Sequence, residues 1–173
     1  MHTMNYVTAG GVTVGLMILG WDVTKWWPGR KQLLRDPVKH ASKLLPWLLA
    51  WCYGALTTLG LAGLIGTASS AVLGLSNWLG DAALVWGVGE QPGQLTARAT
   101  FVPLSSPGAC LVLILTAVFV AAVKKAGEET RGVLKRGAWC GICLGTSAGV
   151  AGFAAVPLAQ AANYIGETVY GAF

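Results

Sequence analysis

Charged side chains are scarce in this sequence: they make up 11% of its 173 residues. Soluble globular domains carry about 25%, so a surface wetted on all sides is excluded. Histidine is scarcer still, with only His2 and His40. A haem or metal held inside a bilayer takes its ligands from within the apolar spans, and these two histidines lie near opposite ends of the apolar runs. No cofactor and no metal are therefore expected. Acids are few, and no Asp, Glu, Lys or Arg stands at the centre of an apolar run. Coupled ion transport then lacks the intramembrane charge it generally uses. Thr57, Thr58, Thr116, Thr146 and Ser147 are polar but can bond to their own helix backbone.

Also missing are a glycine-rich nucleotide loop, a Ser/His/Asp set and a pair of catalytic carboxylates. Glu128 and Glu129 are expected to pair locally with the lysines and arginines around them. No internal repeat and no low-complexity tail is legible. The positive charge near the N-terminus follows the first apolar run instead of preceding it, which is not the order of a signal peptide.

What the chain has in quantity is apolar residues and glycine. Hydrophobic residues make up 54%, the mean hydropathy is +0.60, and there are 24 glycines. This places the chain in the membrane class. Apolar runs of about 20 residues are the length of a bilayer crossing. They predict spans over residues 4–21, 44–65, 103–123 and 138–160. Residues 69–88 are predicted as an amphipathic helix lying on the outer surface. There Val72, Leu75, Leu79, Ala82 and Trp86 share one face. The expected fold is thus all-α: a single membrane domain over 1–173, with four transmembrane helices and one interfacial helix.

Every basic residue except Arg98 falls in one of two segments, Asp22 to Lys43 and Lys124 to Arg136. The net charge of +5 then reflects membrane topology, with no nucleic-acid partner expected. Basic connections stay in the cytoplasm, so both segments are placed inside and both termini outside, in a bacterial-type cytoplasmic membrane. Trp26, Trp27, Arg30, Lys31, Lys124, Lys125 and Arg136 are expected at the cytoplasmic headgroup level, where indole rings and long cations settle.

Gly137, Gly141, Gly145 and Gly149 recur every four residues and so line one helix face. Small residues let helix backbones approach closely in lipid, where close packing is a main source of association. Gly60 and Gly63 form a second set. The glycine face packs either within one subunit or between subunits.

Cys140-Gly-Ile-Cys143 has the spacing of a redox dithiol. Small four-span membrane enzymes pass electrons from such a pair to quinone. They do so at the oxidising face and with a second cysteine pair in an outer loop, which Cys52 and Cys110 do not supply. Buried packing thiols are the alternative reading.

The leading expectation is a non-enzymatic membrane subunit, working with the bilayer as a homo-oligomer or as part of a larger complex. A transfer or secretion channel component is its most concrete form. The alternatives are a phage holin-type pore former and a thiol-disulfide oxidoreductase using Cys140 and Cys143.

Overall fold

The computed structural model describes residues 7–27, 37–59, 63–89, 91, 93, 104–147 and 150–172. Among them the chain is all helix, with six helices and no strand. They are α1 (Ala9–Trp26), α2 (Pro37–Thr57), α3 (Gly63–Val88), α4 (Ser106–Lys125), α5 (Glu128–Gly145) and α6 (Val150–Tyr170).

The helix starts are closed by local chemistry. Thr8 is the N-cap of α1, its side chain accepting from the Gly11 N–H. Ser105 does the same for α4 through the Gly108 N–H, with Pro107 in the first turn, where a missing N–H costs little. Each cap residue is itself held by an asparagine of a later helix. Asn77 Oδ1 accepts from the Thr8 N–H at 3.2 Å, and Asn163 Oδ1 accepts from the Ser105 N–H at 2.8 Å. Asp81 adds a carboxylate oxygen 3.2 Å from the Gly10 nitrogen, a favourable charge at a helix N-terminus.

The far end of α4 is closed by Arg131. Its guanidinium donates to the carbonyls of Val123 at 3.0 Å and Lys124 at 3.3 Å. These oxygens have no partner within the helix, and a cation there also opposes the helix dipole. Arg131 thus turns back onto α4. Glu128 and Glu129 occupy the first turn of α5, an end that favours acids.

Helix boundaries differ from the expected spans in three places. The span expected over 44–65 is interrupted: α2 stops at Thr57, and a new helix begins at Gly63. Gly63 has a φ of +92°, a turn conformation that glycine adopts without a steric penalty. The span expected over 138–160 is likewise divided, with α5 ending at Gly145 and α6 starting at Val150.

At both breaks the hydroxyls bond backward into the helix they end. Thr57 donates to the Gly54 carbonyl at 2.7 Å and Thr58 to that of Ala55 at 2.7 Å. Ser147 donates to the Leu144 carbonyl at 2.7 Å. These bonds take up carbonyls that a continuing helix would use.

The third difference is α3, which runs for 26 residues, about 39 Å at the helical rise. It is long and apolar enough to cross a membrane, as is α4; these are the two helices that meet that test among the described residues.

The packing follows glycine. α2 and α5 lie side by side and run in the same direction. Gly137 abuts Trp47 and Ala50, Gly141 abuts Trp51 and Ala55, and Gly145 abuts Ala55. The start of α1 lies on the C-terminal part of α3, Gly10 against Gly80. The start of α4 lies on α6, where Gly166 abuts Pro107 and Gly108. One apolar cluster joins α2, α4 and α6 through Leu56, Val112 and Ala159. Another joins α1, α2 and α5 through Trp47, Cys140 and Leu144.

Candidate functional site

Three of the glycines singled out in the sequence, Gly137, Gly141 and Gly145, form a seam with α2. A methyl group at Gly141 would fall on the Trp51 carbonyl oxygen, and one at Gly145 would stand 2.9 Å from Ala55 Cα. The same closeness appears from the other side, where a methyl at Gly54 would fall on the Ala138 carbonyl oxygen. In this structure the glycine face is therefore covered by a helix of the same chain. Gly63 takes no part in it: its φ is positive and no atom lies near. Gly60 and Gly149 lie outside the described residues.

At one end of this seam stands a polar cluster that sequence reasoning missed. Asp22, near the end of α1, is 2% exposed. Its Oδ1 accepts from Arg136 Nε of α5 at 3.0 Å, and its Oδ2 accepts from Trp47 Nε1 of α2 at 2.8 Å. Both carboxylate oxygens thus have donors, which a buried charge needs. The Trp26 ring meets Trp47 edge-on, with centroids 5.3 Å apart. Asp22 ties three helices together at one point. The sequence carried one sign of it: an acid placed directly after an apolar run and before a basic segment.

Arg136 therefore has a partner inside the protein, while its side chain remains 34% exposed. Trp27 is exposed, and Lys124 and Lys125 are exposed in the last turn of α4. Arg30 and Lys31 lie outside the described residues.

Cys140 and Cys143 are both free and fully buried. Cys140 Sγ lies 3.4 Å from the Gly15 carbonyl oxygen of α1, in donor geometry. Gly15 faces Cys143 Cβ and Leu144. Both thiols thus fill the space where α1 crosses α5. Next to them Trp139 Nε1 donates to Ser76 Oγ at 2.8 Å, tying α5 to α3. Among the described residues, no three His, Cys, Asp or Glu side chains come together to hold a metal ion.

The comparisons with known proteins add no relative: no family model, no curated protein and no solved structure matches this chain.

Proposed function

We propose that the chain is a non-enzymatic, multi-pass membrane subunit that docks in a larger membrane assembly, a transfer or secretion channel being the most concrete version. One observation carries the reading: polar side chains point inward and large apolar ones outward. Asp22, Ser69, Ser76, Thr57, Thr58, Thr146 and Ser147 are buried, while Leu16, Met17, Leu113, Ile114 and Val118 are more than half exposed. Little of the apolar stretch of either α3 or α4 is buried in the chain, 17% and 11%. An apolar exterior of this extent on a soluble monomer is an aggregation liability; in lipid it needs no cover.

The proposed arrangement keeps four crossings, with both termini outside and both basic connections in the cytoplasm. It assigns them to α1, α3, α4 and α6, with α2 and α5 as a central pair. The connection Ala126–Gly127 between α4 and α5 leaves no room for a soluble domain there. The pore-forming alternative draws on the same glycine face, which α2 covers, and the dithiol alternative draws on two thiols with no exposure.

The test is extraction and mass. The protein should stay in the membrane pellet through alkaline carbonate washing. In lipid nanodiscs it should have a defined mass above one subunit, alone or with a co-purified partner. Release by carbonate would end the membrane reading, and a strict monomer in its native membrane would end the assembly reading.

A further inference from the structure

We infer that the chain is a tandem duplication: residues of α1–α3 and of α4–α6 form two copies of one three-helix unit, related by a two-fold axis running along the α2–α5 pair. No repeat is legible in the sequence at first reading, because the equivalent residues share packing roles more than identities.

The correspondence is closest in the third helix of each unit. The buried residues of α3 are Gly66, Ser69, Leu73, Ser76 and Gly80. Those of α6 are Gly152, Ala155, Ala159, Ala162 and Gly166. The spacing is identical, glycine opens and closes both sets, and no other described residue of either helix is buried. Around the last glycine the sequences also agree: Asn77-Trp-Leu-Gly80-Asp81 beside Asn163-Tyr-Ile-Gly166-Glu167.

These two segments do the same work. Asn77 accepts from the N–H of the α1 cap residue Thr8, and Asn163 accepts from that of the α4 cap residue Ser105. Gly80 and Gly166 each abut the first turn of the helix so capped. Within the caps, Thr8 takes the Gly11 N–H and Ser105 the Gly108 N–H.

The second helices supply the symmetry operator. Trp47, Ala50 and Gly54 are buried along α2, and Leu134, Gly137 and Gly141 along α5 with the same spacing. Gly54 sits on the Ala138 carbonyl, and Gly141 sits on the Trp51 carbonyl. Exchanging Gly54 with Gly141 and Trp51 with Ala138 turns one contact into the other. Such reciprocity is the mark of a two-fold, in which residue i meets j and j meets i. Because α2 and α5 run in the same direction, the axis lies along them and both units face the same way. The first-to-second connection of each unit is the basic one, so both basic segments leave the same end.

The copies have diverged at one point. The position of Asp22 in α1 corresponds to Phe119 in α4, which stacks on Tyr53 at 4.3 Å. Arg136 of α5 corresponds to Leu49 of α2. The ion pair thus belongs to one unit's seam only.

A two-fold makes a testable demand on cross-distances in the intact chain. Met17 matches Ile114, and Trp78 matches Tyr164; all four are exposed. In a background with the four native cysteines replaced, one variant carries spin labels at M17C and Y164C, the other at I114C and W78C. Each is measured by pulsed electron resonance in nanodiscs, or in buffer if the chain is released by carbonate, beside its thermal midpoint to verify folding. The two distance distributions should superimpose. Labels at L16C with I165C against L113C with L79C give a second, independent comparison if a first variant fails to fold. Clearly different distributions in a folded pair would overturn the duplication. The demand holds whether or not the membrane reading does, so the two can fail separately.

Discussion

Asp22 joins three helices through one side chain. Its carboxylate serves Arg136 and Trp47 at once, so different substitutions remove different amounts. Asp22→Asn keeps an acceptor for Trp47 and loses the charge. Asp22→Ala also leaves the indole N–H without a partner, and an unsatisfied buried group costs about 1–3 kcal/mol. The alanine variant should therefore melt below the asparagine variant, followed by tryptophan fluorescence on heating. Because a buried ion pair is expensive to desolvate, replacing both partners by apolar residues is often neutral. The double variant Asp22→Leu/Arg136→Leu should accordingly lose less than the two single changes added together, the unpaired Trp47 indole remaining in it as in Asp22→Leu. A double variant that loses the full sum of both singles would show that the two side chains act through separate contacts.

At the scale of the helix, glycines with the same sequence appearance have opposite roles. Gly141 and Gly54 each lie on a carbonyl of the opposing helix, whereas a methyl at Gly20 or Gly74 would meet no described neighbouring atom within 4 Å. Gly141→Ala should force α2 and α5 apart and lower the thermal midpoint. Gly20→Ala should raise stability by about 0.5–1 kcal/mol, the helix-propensity gain. The caps give a third expectation. Asn163→Leu removes the acceptor for the Ser105 N–H, and loss of one such hydrogen bond costs about 0.5–1.5 kcal/mol. Amide exchange should speed up over Ser105–Gly108 while the Thr8–Gly11 turn stays protected, since Asn77 serves that one.

Helical class was legible in the sequence from hydropathy, and the four-residue spacing marked a small-residue face from which Gly137, Gly141 and Gly145 abut α2. The breaks were not. Residues 44–65 and 138–160 stay apolar throughout, and hydropathy does not register a threonine hydroxyl turning back onto its own helix. The partner of the glycine face was also hidden, because spacing shows that something must come close and not what it is. Asp22 escaped notice for the same reason: its partner is 114 positions away. Repetition was masked by exchange among small residues, such as Ser76 against Ala162, which preserves packing and erases identity.

For the whole molecule, the inward polar groups and outward apolar ones make the surroundings part of the fold. On the proposed membrane reading, reversing the pattern at one outward apolar site, for instance Ile114→Asp, should block stable insertion or shift the protein out of the membrane fraction. The same change at Lys125, exposed at the end of α4, should be tolerated. A protein that stayed soluble and folded after Ile114→Asp would contradict the proposed exterior.

The Asp22–Arg136 pair also sets a clock during synthesis. At about 5–20 residues per second, the ribosome needs roughly 6–23 s to travel the 114 residues from the acid to its cationic partner. Through that interval α1 carries a carboxylate whose native cationic partner has not yet been made. On the proposed membrane reading, the growing chain keeps that end of α1 near water, or in the keeping of the insertion machinery, until α5 emerges. On that reading, a nascent chain arrested before residue 136 should remain bound to the insertion machinery, and one arrested well beyond it should be released into the lipid.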